Sequence, residues 1–206
     1  MRHKHTPLPT GAPQVGNRAT LPHVHALNLA ERGFVSGPID AAGRFLAEPT
    51  RHLTKINEHA SKFPEANWAA PAGVEFGFVV LDVGVFADPL PHEFGALNST
   101  WTIIRTDGGG IHLWYRIDGV AAEPNGRLLG IATIKPLGIL PGSKHTNGSG
   151  YVFADDHGPG EIGLAKLSPN WLWAFPRRNG ISAATSGSSS INPQPTTKAN
   201  LGGWMS

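Results

Sequence analysis

The sequence predicts an α+β fold whose mixed or antiparallel central sheet carries Asp82 and His112 on neighbouring strands. Three observations lead there. Gly 26 and Pro 18 are about a fifth of the 206 residues, against a usual share of about 12%, while charged residues are only 16%. Such a chain is rich in turns and poor in long charged helices, which excludes a coiled coil or a plain helical bundle. Runs of β-branched and aromatic residues occupy the middle of the chain, at 76–83, 101–106 and 111–117. Helical spacing, by contrast, is confined to its flanks.

Each element has its own local reason. Residues 1–22 carry Pro7, Pro9, Pro13 and Pro22 with no apolar period, so residues 1–25 are expected to form a mobile basic arm. Ala26–Phe34 reads as a short helix stopped by Gly33. From Arg51 to Phe63, the residues Leu53, Ile56, Ala60 and Phe63 fall at helical intervals, and Pro64 ends the run. Asn67–Pro71 leads into a strand over Val74–Val85. Trp101–Thr106 and Ile111–Ile117, joined through Gly108-Gly-Gly110, read as a hairpin. Leu128–Lys135, Gly138–Pro141 and Gly150–Ala154 are shorter strands, the last following the turn signal Asn147-Gly148. Leu164–Phe175 reads as a closing helix with Pro169 near its start. Residues 176–206 are rich in Ser, Thr, Asn and Gly and read as a flexible linker or tail, expected to lead to a further domain of a longer parent protein.

Composition bounds the chemistry. Hydrophobic residues at 40% suffice for a packed core. Cysteine is absent, which excludes disulfides, thiolate zinc sites and a Cys nucleophile; any metal must be held by carboxylates or by the 10 His. No run of about 18 apolar residues occurs, so no membrane helix is expected. Met1–Pro7 has no apolar stretch behind its basic start, so a secretory signal is not expected and the protein is read as cytoplasmic. The formal charge of +2 is unevenly spread: residues 1–60 hold 7 Lys/Arg and 4 Asp/Glu, residues 61–175 hold 7 and 11, and residues 176–206 hold 3 and 0. Basic ends suit either a polyanion or solubility.

Asp82 lies inside an otherwise apolar strand, on one face with Val80 and Gly84. A carboxylate there must be paired, hydrogen-bonded or bound to a metal. His112 follows three glycines and shares a face with Trp114 and Arg116. The glycines allow close approach of a backbone or a phosphate, although their spacing is neither a dinucleotide fingerprint nor a P-loop. Lys135, Ser143, Lys144 and His145 form a basic, hydroxylic group around Pro136 and Pro141, suited either to phosphates or to solvent. Asp155-Asp156-His157, beside Gly158-Pro159, reads as an exposed turn or a metal-ligand group.

The order of these pieces resembles a known family. Pro64-Glu-Ala-Asn-Trp-Ala-Ala-Pro-Ala-Gly73 followed by Phe78-Val-Val-Leu-Asp-Val83 resembles the opening of the prim-pol (bifunctional primase/polymerase) domain of the archaeo-eukaryotic primase superfamily. Arg105-Thr-Asp-Gly-Gly-Gly-Ile-His112-Leu-Trp-Tyr is similar to that family's glycine–histidine element. Ile139-Leu-Pro-Gly-Ser-Lys-His-Thr-Asn-Gly-Ser-Gly-Tyr151 and Leu167-Ser-Pro-Asn-Trp-Leu172 are similar to its closing elements. The resemblance spans residues 26–175 and implies an RRM-like palm with an accessory N-terminal αβ unit. It implies a DNA-replication primase/polymerase domain, performing metal-dependent nucleotidyl transfer on a single-stranded DNA template, in a cytoplasmic protein of a phage or plasmid. It also implies a helicase domain in the parent protein.

Residue by residue, the resemblance implies that Asp82 is the first metal-binding acid for Mg²⁺ or Mn²⁺ and that His112 contacts the phosphates of ATP or a dNTP. Arg105, Lys135, Ser143 and His145 are implied as nucleotide or template contacts; apart from the resemblance, Asp88, six residues after Asp82, or alternatively Glu93 is the expected supplementary metal ligand from the adjacent loop. Two departures stand out. The second acid of the pair is replaced by Gly84, and Thr133 stands where a third acid belongs. A pair of divalent ions needs several carboxylates. The alternative implied by these losses is a prim-pol fold that binds nucleotide, single-stranded DNA or a partner without catalysis. A different alignment takes Ser143-Lys-His145 as the histidine motif and Asp155 as the third acid. Trp68 and Trp114 are expected to be exposed and to stack on bases.

Overall fold

A computed structural model describes residues 20–84, 95, 97–118, 127–128 and 132–174. The expected arm up to residue 19, the tail 176–206, Val85, Asp88 and Glu93 lie outside the described residues. No helix among the described residues is long and apolar enough to cross a membrane.

Helix α1 spans Pro22–Ala30 and buries Ala26, Leu29 and Ala30. It starts and ends four residues earlier than its sequence pattern suggests. Proline needs no intrahelical N–H partner at the first helical position, so Pro22 opens the helix rather than closing the arm. At the other end the Gly33 amide reaches back to Ala30 O and Phe34 N to Leu29 O, with Gly33 left-handed at φ 86°. That conformation is cheap only for glycine and ends the helix. Helix α2, Leu53–Lys62, runs as its spacing predicts: Ile56 is buried, and the Phe63 amide caps the end on His59 O.

Strands β1 (Gly37–Ile39), β2 (Asn67–Pro71) and β8 (Leu137–Ile139) form a three-stranded sheet in the order β1-β2-β8. A larger sheet contains β3 (Phe78–Val83), β4 (Thr102–Arg105), β5 (Ile111–Arg116), β6 (Arg127–Leu128), β7 (Ala132–Lys135) and β9 (Tyr151–Phe153), in the order β6-β7-β3-β5-β4-β9. All pairings in both sheets are antiparallel. The fold is therefore α+β with antiparallel sheets.

Strand β3 is shorter than the sequence suggests. Val74–Phe76 forms a 3-10 turn, closed by Gly77 at φ 74°, and the Gly73 amide donates to Phe78 O. The turn joins β2 to β3, just as Pro136 joins β7 to β8, and the Ala72 amide donates to Pro136 O at 2.8 Å. These two crossings link the sheets where β3 lies against β7 and β2 against β8.

The large sheet is covered on both faces, which explains the unbroken apolar run of β3. Phe78 and Val80 join Trp68, Trp101, Trp114, Ile103 and Leu140 under α1 and α2. Val79 and Leu81 join Tyr115, Ile117, Leu167 and Trp171 on the other side. Trp171 belongs to α3, Pro169–Ala174, which starts at the proline expected to interrupt a longer helix. Trp68 and Trp114 are each only 1% exposed. They are core residues, and the expectation that they stack on bases is corrected: β2 and β5 are central strands, so these inward positions are closed to solvent.

Candidate functional site

The register of three neighbouring strands builds the site. Asp82 on β3 stands directly opposite His112 on β5 and opposite Thr133 on β7. Paired residues share a face, so Asp82 and His112 point the same way, as expected from the sequence. Val80 is opposite Lys135, which puts Lys135 on that face two residues beyond Thr133. The chain then turns at Pro136 into the smaller sheet. A cleft of about 310 Å³ opens there, lined by Asp82, Arg105, His112, Lys135, His145, Tyr151 and the backbone of Gly109 and Gly110.

The structure thus brings together five of the residues singled out in the sequence: Asp82, Arg105, His112, Lys135 and His145. Lys135 Nζ lies 2.9 Å from Asp82 Oδ2, and His112 Nε2 lies 3.9 Å from Asp82 Oδ1. His112 is largely buried, and its Nδ1 has no hydrogen-bond partner among the described residues. Burial lowers its pKa below the ordinary histidine value; the Asp82 charge opposes this, and Lys135, Arg105 and His145 add to it. The imidazole is accordingly neutral at pH 7, with one N–H to give and one lone pair to accept.

Arg105 is held from behind. Its Nε donates to Asp107 Oδ1 at 2.7 Å, and its Nη1 lies 3.4 Å from His145 Nε2. Asp107 also accepts from the Gly109 amide at 2.8 Å and from Asn147 Nδ2 at 2.6 Å. These donors hold the Asp107 carboxyl well below the usual carboxylate range, Arg105 foremost. The guanidinium lies over Gly109, where a Cβ would stand 1.4 Å from Arg105 Nη2 and would push the side chain aside. The glycine turn therefore makes room for an arginine.

Ser143 is not brought to the cleft. It is buried at 1% exposure, and its hydroxyl accepts from Trp68 N at 3.0 Å. Asn67 grips the next residue, accepting from Lys144 N and donating to Lys144 O. The Ser143–Lys144 pair thus fastens the loop to β2 and so sets where His145 stands. Asp155 is exposed and lies outside the cleft lining, so the alignment that made it a third acid gains nothing from the geometry.

Among the described residues no group of three His, Asp or Glu could hold a metal ion. Asp82 is the only carboxylate among the described residues that lines the cleft, and it faces an ammonium. Thr133 offers a hydroxyl position, and at Gly84 a Cβ would meet nothing within 4 Å. This donor set does not fit a pair of hard divalent ions, which require several oxygen ligands.

The sequence assigns no individual site role to Tyr151, Asp107 or Asn147. Tyr151 packs its ring 5.5 Å from His112 and 6.2 Å from His145. The available signal was spacing: Asp107 lies two residues beyond Arg105 inside a glycine turn, where a short acid commonly braces its neighbours. No protein-family model matches the chain, and no curated protein matches it either.

Proposed function

We propose that this chain is a prim-pol-like domain of a DNA-replication protein, which binds the phosphates of ATP or a dNTP in the cleft between its two sheets. The observation that carries this reading is the convergence of Arg105, His112, Lys135 and His145 on one cleft floored by glycine backbone. Cationic and hydrogen-bonding groups beside a glycine turn suit a triphosphate. The antiparallel six-stranded sheet is read as the RRM-like palm, and α1, α2 and the smaller sheet as the accessory unit. Single-stranded DNA is the proposed template, and a helicase domain of a longer parent protein the proposed neighbour, in the cytoplasm of a bacterial host.

With Trp68 and Trp114 in the core, DNA binding is expected to be mainly electrostatic. Affinity for a single strand should fall steeply with salt, with a log–log slope of about −0.7 for each phosphate neutralised. Filter binding between low and moderate salt measures this, and a flat response counts against the nucleic-acid assignment.

Metal-dependent primer synthesis is the second reading. The abreast register of Asp82, Thr133 and His112 favours it, because it sets the third-acid position, Thr133, beside the first acid and the histidine. It needs ligands beyond Asp82, for which Asp88 is the proposed source. Primer synthesis with Mg²⁺ or Mn²⁺ that is abolished by Asp82→Ala supports it. A wild type without product, restored by Gly84→Asp with Thr133→Asp, identifies a decayed polymerase retained for binding.

A further inference from the structure

We propose that the cleft takes a nucleoside triphosphate without a divalent metal ion, with the Lys135 ammonium in the cation's position and Asp82 as its resting counterion. The proposal rests on the nucleotide-binding reading above and extends it to the ionic form of the ligand. Both Asp82 oxygens already face nitrogen: Oδ2 is 2.9 Å from Lys135 Nζ, and Oδ1 is 3.9 Å from His112 Nε2. A divalent ion on this carboxylate has to displace the ammonium. It then finds a hydroxyl residue across the ladder at Thr133 and no side chain at Gly84. Magnesium in nucleotide sites normally uses one or two carboxylates besides the phosphates, and the carboxylate described in this cleft is already paired with an ammonium.

The cationic side of the cleft is already supplied. Lys135 is 39% exposed on a flexible stem, so its ammonium can turn from Asp82 to a phosphate oxygen. Arg105 is fixed above Gly109 by Asp107. His112 lines the same wall, with its Nε2 3.9 Å from Asp82 Oδ1. A phosphate entering here competes with Asp82 for Lys135. Asp82 is then a rival of the ligand, the reverse of what a metal-holding acid would be, and this reversal has a measurable sign.

The test is calorimetric titration of the full chain with ATP, in EDTA and in excess Mg²⁺, for wild type, Asp82→Asn and Lys135→Ala. Wild type is expected to bind ATP in EDTA at least as tightly as in Mg²⁺. In EDTA, Asp82→Asn should tighten binding by about threefold, the scale of a partly exposed ion pair. Lys135→Ala should weaken it by about tenfold, the scale of a hydrogen bond to a charged group. Asp82→Ser removes the same charge with less volume and must move affinity in the same direction as Asp82→Asn, and thermal unfolding of each variant verifies a folded chain. Binding that appears only with Mg²⁺ or Mn²⁺, or weakening by both Asp82 variants, overturns the proposal and leaves nucleotide binding standing. Absence of ATP binding in both buffers removes the nucleotide reading itself, and the proposal with it.

Discussion

Replacing His112 and Lys135 together by Ala is expected to lower the affinity for ATP or a dNTP by at least about tenfold. A hydrogen bond to a charged group contributes about 1.5–3 kcal/mol, and about 1.4 kcal/mol corresponds to a factor of ten. The two side chains act differently. Lys135 is partly exposed, so solvent screens its charge, whereas His112 is largely buried and works in a drier setting. The double variant should therefore lose more than Lys135→Ala alone. Calorimetric titration at fixed ionic strength measures the difference, and an unchanged dissociation constant for the double variant would falsify the assignment of these residues to the ligand.

The second large effect is on stability. Trp114 is 1% exposed, and its ring stacks on Phe78 with centroids 5.0 Å apart and an interplanar angle of 11°. The ring also lies over β8, where a Cβ on Gly138 would come within 2.2 Å of it. Trp114 thus joins the two sheets directly behind the cleft, two residues from His112 on the same face of β5. Trp114→Ala should cost about 3–5 kcal/mol, the range for truncating a buried aromatic. That is a large part of the roughly 5–15 kcal/mol that stabilises a typical domain. Trp114→Phe should cost much less, since a ring remains and the Nε1 group, which has no partner among the described residues, is removed. Urea unfolding decides: a loss below about 1 kcal/mol for Trp114→Ala contradicts the core placement.

Local chemistry made part of this fold legible and hid the rest. The hairpin of β4 and β5 was readable because two β-rich runs flank three glycines, and Gly108 does take the left-handed conformation at φ 74°. Asp82 and His112 on adjacent strands followed from the same runs. Strands β1 and β2 were not readable. Pro38, Pro71 and the alanines of β2 give no alternating pattern, and β1 is an edge strand, where proline costs no ladder bond. Burial is a property of the assembled layers, so the sequence alone does not mark Trp68, Trp114 and Ser143 as core residues. Both faces of the large sheet are covered, and no local spacing in the sequence says so. The Asp82–Lys135 pair was equally hidden, because it depends on the register of β3 against β7.

Amide shift mapping of the ¹⁵N-labelled chain during titration with ATP tests the site most directly. Nucleotide binding at the cleft predicts the largest changes at Arg105, Gly109, Gly110, His112 and Lys135, with little change along the outer face of α2. Saturable changes centred on α2 or elsewhere, with these five amides unmoved, would contradict it.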